Sequence, residues 1–398
     1  MQKRIMFLGA SKPQVAPIVY AKEKGHYIIT CDYLPENPGH KYADEYHNVS
    51  IINKEAVLAL AKKLKIDAII SYATDAGVPT QAYVANKLSL PSSPYKSMSL
   101  LVRKDKLRKL LKENNFFTPK SGSFTNYENA YEFILSLKLP AIVKPVDGSG
   151  SNGITKIDAL GNFKKAFDNA MQFSRNKQII IEEFFVHDGK IQDGDGFLYN
   201  GKIIFSCWGD SHRLKKDNLL IPIAQSFPST LSKERNIKAN HELEKLFNLL
   251  NVKEGPFNIE FGFDKNDNFF IFDLNPRSGG NLIPELIHRT TGINLTKYVV
   301  DSAVGLDCSN LKTEEPKGYY SSYKIFAEKD GIFKGIWISD ILKEKIFYQS
   351  LDVDLGEKVK IMERSAERVG VMALKFDSSE EMHYILNNMN KYLKVLVD

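Results

Sequence analysis

Two acidic residues and an asparagine in the stretch FNIEFGFDKNDNFFIFDLNPRSGG, residues 257–280, could hold a divalent cation. Two apolar runs flank a polar turn there, which is typical of a β-hairpin. Antiparallel pairing places Glu260 opposite Asp273, and carboxylates that face each other about 5 Å apart repel unless a cation lies between them. With Asn275 they form an all-oxygen set of ligands, which suits Mg²⁺ or Mn²⁺ better than Zn²⁺. The stretch therefore predicts a metal site, with an ordinary solvated hairpin face as the alternative.

The register of this hairpin also predicts its two faces. Pairing Asp264 with Phe269 across the turn brings Asn258 opposite Asn275. Because side chains alternate along a strand, one face of the hairpin becomes part of the core. The residues expected on that face are Phe257, Ile259, Phe261, Phe263, Phe270, Phe272 and Leu274. The polar face is followed at once by Arg277, which could hold a phosphate in bidentate fashion.

A lysine within an apolar strand is the second chemical signal. Lys144 lies near the end of the run Leu139–Pro145, and a glycine- and serine-rich loop, residues 147–153, follows it. A lysine is costly to bury unless an anion compensates its charge, and the N–H groups of such a loop can bind phosphate oxygens. The alternative, a flexible connector, does not explain the lysine. The loop is not a Walker motif, because the pattern G-x-x-x-x-G-K-[ST] is missing.

The third signal is an apolar strand, Gln178–Phe185, that ends in two acids and two aromatic residues. Such an end suits the binding of a purine base, whose edge is read by backbone groups and a carboxylate. Many strands end in Glu, so this segment alone is weak evidence. Its place between the glycine-rich loop and the acidic hairpin strengthens the interpretation.

These segments, in this order, resemble the ATP-grasp ligases. Enzymes of that family carry a Glu on one hairpin strand, an acid-x-Asn on the next and an Arg two residues after the Asn. The matching residues here are Glu260, Asp273, Asn275 and Arg277, with Asp273 where Glu is usual. The resemblance implies that the first three bind Mg²⁺ or Mn²⁺, and that Arg277 and Lys144 are catalytic.

The same resemblance implies an ATP site. Lys144 and Lys106, the latter in the Lys104-Asp105-Lys106 cluster of a helix predicted over Met98–Asn114, would contact the phosphates. The loop residues that would fold over them are Gly148, Ser149, Gly150, Ser151 and Gly153. Adenine would be read by Glu182 and by the backbone of Glu183, Phe184 and Phe185. Ile191 stands where the family usually has a Glu, so no ribose contact is assigned.

The pattern of elements predicts α/β and α+β architecture in three domains. Residues 1–115 alternate strands and helices, which indicates a parallel α/β domain. They resemble the domain that precedes the catalytic module in carbamoyl-phosphate synthase and the biotin carboxylase-like ligases. Residues 116–310 would form the ATP-grasp module, and residues 311–398 a small α+β domain packed over it. A nicotinamide site is not predicted, since G-x-G-x-x-G is absent. Asp75 could shape the cleft or cap a helix.

Composition limits the remaining classes. The chain has 398 residues, 43% of them hydrophobic, and a net charge of +6. Its lysines are scattered, so no nucleic-acid partner is predicted, and no apolar stretch approaches the length of a membrane span. Cys31, Cys207 and Cys308 lack metal-ligand spacing and fit a reducing compartment, so the protein is expected to be cytoplasmic.

The resemblance implies that a substrate carboxylate is activated as an acylphosphate and attacked by an amine. A bicarbonate-using carboxylase or carbamoyl-phosphate-type enzyme would share every nucleotide-binding residue, and a non-catalytic nucleotide sensor is a third alternative. The partners would be a small carboxylic acid and an amine. The sequence is compatible with a homodimer. The residues that would choose them are not assigned, because single residues such as Asp75, His212, Arg213 and Arg289 are too common.

Overall fold

The computed structural model describes residues 1–148, 150–216 and 219–398 of the chain. Its first part is a parallel sheet in the order β3-β2-β1-β4. The strands are β1 (Arg4–Leu8), β2 (Tyr27–Cys31), β3 (Glu45–His47) and β4 (Ala68–Ile70). The helices are α1 (Val15–Glu23), α2 (Lys54–Leu64), α3 (Val78–Leu88), α4 (Tyr95–Leu101) and α5 (Lys104–Glu113). The predicted parallel α/β region is confirmed.

The helix predicted over Met98–Asn114 is wrong in one respect, because two helices occupy this segment. The helix α4 ends at Leu101, and α5 begins at Lys104. Between them Arg103 has an extended backbone, with φ −117° and ψ 106°. This break sets which lysine of the cluster points toward the rest of the molecule.

A small antiparallel sheet in the order β5-β8-β6-β7 follows. It contains β5 (Ser121–Phe124), β6 (Ala141–Pro145), β7 (Thr155–Ile157) and β8 (Ile179–Glu183), with α6 (Tyr127–Leu135) and α7 (Phe163–Phe173). Apolar side chains of both helices and of β6 and β8 share one core. This part carries Lys144, the glycine-rich loop and Glu182.

An eight-stranded sheet, ordered β13-β12-β9-β10-β11-β14-β18-β16, forms the centre of the described structure. Its first strands are β9 (Asp188–Tyr199), β10 (Lys202–Lys216), β11 (Leu219–Phe227), β12 (Gly255–Phe263) and β13 (Phe269–Asn275). The helices α8 (Lys233–Leu249), α9 (Ile283–Thr291) and α10 (Leu295–Ala303) belong to the same part of the chain. One face packs on α8, and the other packs on α9, α10 and the N-terminal sheet.

The last part of the chain extends this central sheet. The strands β14 (Tyr319–Ile325), β16 (Ile346–Leu351) and β18 (Gly370–Phe376) belong to it, and β14 pairs with β11. The strands β15 (Gly331–Ile338), β17 (Lys358–Val359) and β19 (Leu393–Val397) form a separate three-stranded sheet. The helices α11 (Asp340–Lys345) and α12 (Ser379–Asn387) complete the segment. The central sheet therefore crosses the boundary predicted near residue 310.

Among the described helices, none combines the length and the hydropathy that crossing a lipid bilayer requires.

Candidate active site

The hairpin of β12 and β13 places two acids opposite each other. Glu260 pairs with Asp273, and Asn258 pairs with Asn275, as the sequence predicts. The predicted pairing at the turn is wrong, because Phe263 and not Asp264 is opposite Phe269. The register shifts between Glu260 and Phe261, so that one extra residue on β13 forms a β-bulge.

The bulge changes which aromatic residues face the core. Phe270 and Phe272 were expected there, but Ile271 takes that place in the cluster under α8. Phe270 instead stacks on Phe185, with ring centroids 4.4 Å apart, and Phe272 meets Phe185 edge to face at 5.7 Å. The two residues therefore join the aromatic end of β8 to the acidic hairpin.

Each of the two facing acids is paired with a base. Lys104 donates to Asp273 at 2.9 Å, and Arg213 donates to Glu260 at 2.7 Å. Burial alone would raise the pKa of Asp273, but the positive charges of Lys104, Lys144 and Arg277 together outweigh burial and hold that pKa below its usual value. Asn275 also donates to Asp273, at 3.3 Å. Each of the two hairpin acids is thus paired with a cation from another element.

Lys104, and not Lys106, reaches this site. Lys106 is exposed on α5, whereas Lys104 is the first residue of that helix and also donates to the carbonyl of Gly148, at 3.4 Å. Of the two lysines, Lys104 therefore lies beside the acidic hairpin and the glycine-rich loop, whereas the predicted Lys106 is exposed. The reason is the break between α4 and α5, which a continuous helix would not contain.

A buried charge network lies behind the hairpin. Glu182 receives Lys144 at 2.8 Å on one oxygen and Arg108 at 2.8 Å on the other, and all three side chains are buried. Burial lowers the pKa of Lys144 to about 8, although the carboxylate of Glu182 acts in the opposite direction. Glu182 is thus the anion that a lysine in this strand requires, and its carboxylate is already engaged by two cations.

The glycine-rich loop is fixed at both ends. Asp147 accepts hydrogen bonds from Ser174 and Asn176, and Gly153, at φ +71°, packs against Phe173. Gly150, at φ +64°, faces open space except for the side chain of Asn152. Of the predicted phosphate-binding residues, Gly148, Gly150, Ser151 and Gly153 lie between β6 and β7, and Ser149 lies outside the described residues.

The end of β8 presents the predicted adenine-binding residues. The N–H groups of Glu183 and Phe184 donate to the carbonyls of Lys120 and Pro140. Phe185 is 9% exposed and lies between Phe270 and Phe117. An apolar aromatic wall is therefore present beside Glu182.

Arg277 connects the hairpin to the N-terminal sheet. Its Nε donates to Oδ1 of Asp75 at 2.6 Å, and its Nη1 donates to Asn258 at 3.2 Å. Asp75 follows β4, at the carboxyl end of the parallel sheet. The loop position that the sequence analysis singled out for Asp75 thus reaches the site.

Two further acids, which the sequence analysis did not select, lie on β9 beside the hairpin. Asp193 is opposite Glu260, and Asp195 is opposite Asn258. Burial, followed by the charge of Glu260, raises the pKa of Asp193 to about 8. Burial also raises the pKa of Asp195, to about 6, against the hydrogen bonds that it accepts from Gly279 and Asn258. Acids two residues apart in IQDGDGF would share one face of a strand, which is the signal that could have identified them.

The donor set fits a magnesium ion. Two carboxylates, Glu260 and Asp273, and the amide of Asn275 are hard oxygen donors on one face of the hairpin. Among the described residues, no group of three or more His, Cys, Asp and Glu side chains is arranged to hold a metal. A magnesium ion usually binds through only one or two carboxylates and completes its shell with waters and substrate phosphates. The set therefore suits a metal that arrives with a nucleotide.

Comparisons with known proteins agree with this geometry. Residues 137–285 match the family model described as an ATP-grasp domain. The chain is 27% identical over 239 residues to the carbamoyl phosphate synthase large chain of Caldanaerobacter subterraneus subsp. tengcongensis; the match covers 58% of the chain but only 21% of that relative. It is 26% identical over 281 residues to the formate-dependent phosphoribosylglycinamide formyltransferase of Prochlorococcus marinus strain NATL2A, covering 69% of the chain and 70% of that protein.

The fold agrees as well. The L-amino acid ligase of Bacillus licheniformis superposes with a TM-score of 0.83 over 100% of the chain and 99% of that structure, at 19% identity. The match to the family model spans Lys144, the glycine-rich loop, Glu182 and the acidic hairpin. Residues 137–285 therefore match an ATP-grasp domain, and the chain as a whole shares the fold of that ligase structure.

Proposed function

We propose that this protein is an ATP- and Mg²⁺-dependent ligase that activates a substrate carboxylate as an acylphosphate and joins it to an amine, releasing ADP and phosphate. The observation that carries the proposal is the pairing of Glu260 with Asp273, beside Lys104 and Arg277. A carboxylate at neutral pH is a poor electrophile, so its activation requires phosphoryl transfer. That transfer depends mainly on positioning and on neutralising charge, for which this site is equipped.

Each group has a task in this proposal. Glu260, Asp273 and Asn275 hold the Mg²⁺, which when bound neutralises phosphate charge. Lys104 and Lys144 contact the phosphates, and the N–H groups of the loop that includes Gly148, Gly150, Ser151 and Gly153 cover them. Arg277 holds the transferred phosphoryl group while Asp75 fixes the plane of its guanidinium group.

The base of the nucleotide would lie at the end of β8. Phe185 and Phe270 supply an apolar wall, and Glu182 lies beside it. Since the N–H groups of Glu183 and Phe184 are already engaged, we assign the edge of adenine to the N–H of Phe185 and to carbonyls of this segment. This assignment keeps Glu182 and Phe185 as base-binding residues and gives Glu183 and Phe184 a smaller part.

Two of the relatives support a carboxylic acid as substrate. One is named for its dependence on formate and another for ligating L-amino acids, and both kinds of compound carry a carboxylate. The three cysteines are free and buried, which suits a cytoplasmic enzyme.

A paired-substrate screen tests the proposal. The full-length protein is incubated with Mg²⁺ and ATP and with pairs of carboxylic acids and amines; ADP release is followed, and the product is identified by mass. The mass of the expected product equals the mass of the amine plus the mass of the acid minus the mass of one water molecule. Carboxylation of the amine with bicarbonate, without an added acid, would favour the bicarbonate-using alternative. Nucleotide binding without ADP release for any pair would favour a nucleotide sensor.

A further inference from the structure

A strip of buried polar side chains lies on the same face of the central sheet as Glu260, and nothing in phosphoryl transfer requires it. Asp193 on β9 is opposite Glu260. Ser211 on β10 is opposite Gln225 on β11, which is in turn opposite Ser322 on β14. Cross-strand partners share a face, and Gln225 donates to Asp193 at 3.4 Å. We call Asp193, Ser211, Gln225 and Ser322 the polar strip.

Asp193 is an acid without a cation. Asp193 is 4% exposed, and from the described residues it receives two long hydrogen bonds, at 3.4 Å from Gln225 and 3.3 Å from Asn258. Among the described residues, no Lys, Arg or His lies within 4.0 Å of its carboxylate, since Arg213 is paired with Glu260 instead. A buried carboxylate in this state lacks the partner that usually offsets its desolvation.

The side chain of Ser211 is a second indication of a bound ligand, separate from that of Asp193. Its hydroxyl is buried, and no described residue is within hydrogen-bonding reach of it. The residue is 8% exposed and directly opposite Gln225, the side chain that reaches Asp193. A buried hydroxyl without a protein partner is free to bind a group from outside, and this one lies next to the side chains that lead to Asp193.

The other end of the strip carries a cation without an acid. Lys324 lies two residues beyond Ser322 on β14, is 3% exposed, and donates to the carbonyl of Pro222 at 2.6 Å and to Ser365 at 3.0 Å. Within the described ranges no carboxylate comes within 4.0 Å of its Nζ. Burial and then Arg368 lower its pKa to about 8, while Glu260 and Asp193 lie near enough to act in the opposite direction. The Nε of Arg213, near the same end, also has no hydrogen-bond partner among the described residues.

We propose that the polar strip binds the amine substrate, and that this substrate is an α-amino acid in its zwitterionic form. Its ammonium group binds to Asp193 and Ser211, and its carboxylate binds to Lys324 and to the Nε of Arg213. One molecule then supplies a cationic partner to a buried acid and an anionic partner to a buried lysine on one face of the sheet. The inference rests on the proposed function for its setting, because ligation is the reason why an amine would lie next to Glu260.

Calorimetry on the full-length protein tests the inference. The protein, with Mg²⁺ and a non-hydrolysable ATP analogue present, is titrated with each standard α-amino acid. At least one is expected to bind, and its decarboxylated amine and its N-acetyl derivative should each bind about tenfold more weakly or worse. Asp193→Asn and Lys324→Met should each lower the affinity for the amino acid by about tenfold or more, while the affinity for the ATP analogue stays within about twofold of wild type. Asp188→Asn, at the exposed start of β9, and Lys375→Met, exposed on β18, are the matched controls.

Three results would overturn the inference. The first is that no α-amino acid binds the wild-type protein, and the second is that both variants bind it as wild type does. The third is that Asp193→Asn weakens the Mg²⁺-dependent binding of the analogue alone, which would make Asp193 a metal ligand.

If Asp193→Asn melts far below wild type, Ser211→Ala replaces it, with an expected loss of about threefold or more in amino acid affinity and none in analogue affinity. Failure of the analogue to bind wild type would count against the proposed function, and the amino acid titrations would still test the strip.

Discussion

The ammonium nitrogen of Lys104 lies 2.9 Å from Oδ1 of Asp273, so the first residue of a helix neutralises an acid on a distant hairpin. Lys104→Met should therefore lower the rate of ADP release by about 100-fold, because it removes a charge from the phosphate site. Lys106→Met, which changes an exposed side chain of the same helix, should stay within about twofold of wild type. Rates of ADP release for the two variants, compared directly, check this assignment, and the reverse order would restore Lys106.

The two facing acids should be essential for metal-dependent turnover. Glu260→Gln and Asp273→Asn each remove one anionic ligand and should lower ADP release by about 1000-fold at ordinary Mg²⁺ concentrations. The matched control is Asp168→Asn, whose side chain is exposed and pairs only with Lys164 on one helix. Turnover is measured over a range of Mg²⁺ concentrations, and near-normal rates at saturating Mg²⁺ would reject the metal assignment.

The Lys144 charge should matter more for binding than for stability. Lys144→Met removes a buried charge that the fold disfavours, as its lowered pKa shows, and Arg108 still pairs with Glu182, so the free energy of unfolding near pH 7 should be unchanged or rise by about 1 kcal/mol. Nucleotide affinity should fall, since a phosphate contact is lost. Urea denaturation and calorimetry measure the two effects, with exposed Lys109→Met as the control. A variant clearly less stable than wild type would mean that Arg108 alone does not compensate Glu182.

The low pKa of Lys144 also predicts a pH dependence of stability. Burial lowers this pKa to about 8 in the folded protein, whereas an unfolded chain has a lysine pKa of about 10.4. Between these values the unfolded state binds more protons, so the stability contributed by this group increases as pH rises. The difference in unfolding free energy between wild type and Lys144→Met should therefore rise from about pH 8 to about pH 10. A flat or falling difference in denaturation experiments would contradict the assigned pKa.

The loop between Asp147 and Gly153 should become protected when nucleotide binds. Its small residues have little apolar surface to bury, so only hydrogen bonds to phosphate offset the entropy of ordering it. Hydrogen exchange should show slower exchange in this loop with Mg²⁺ and a non-hydrolysable ATP analogue. Gly150→Val should slow turnover more than it weakens nucleotide binding, because the base lies at the end of β8. Gly356→Val is the control, since Gly356 also has a positive φ and no neighbour within 4 Å. If the loop is fully protected from hydrogen exchange without nucleotide, it does not become ordered on nucleotide binding, and the prediction is wrong.

Much of the architecture could be predicted because it depends on local patterns. Alternation within β12 and β13 was enough to pair Glu260 with Asp273. The same alternation misplaced Phe270 and Phe272, because a bulge adds one residue to β13 and reverses the faces beyond it. The position of a bulge depends on pairing with neighbouring strands, and these come from other parts of the sequence. Counting residues along the hairpin therefore cannot locate it.

The partners of the buried charges were beyond sequence reasoning for a different reason. Arg108 and Glu182 are 74 residues apart, and Arg213 and Glu260 are 47 apart. Such pairs depend on the tertiary fold, because Arg108 lies on α5 and Glu182 on β8, whereas Arg213 and Glu260 lie on β10 and β12, with β9 between them. The helix break at Arg103 has a similar origin, since the N–H of Lys104 donates to the carbonyl of Val146, which lies on another part of the chain.

The contact between Asp75 and Arg277 limits how freely this protein could exchange parts with its relatives. Arg277 follows the hairpin of the ATP-grasp domain, but the acid that orients it belongs to the N-terminal sheet. A hybrid that joined these residues 116–398 to a foreign N-terminal domain would need an acid at the same loop after the fourth strand. Without that acid, the transplanted domain would fold, but the guanidinium group of Arg277 would not be held in the correct orientation. Recombination between family members should therefore preserve the two residues as a pair.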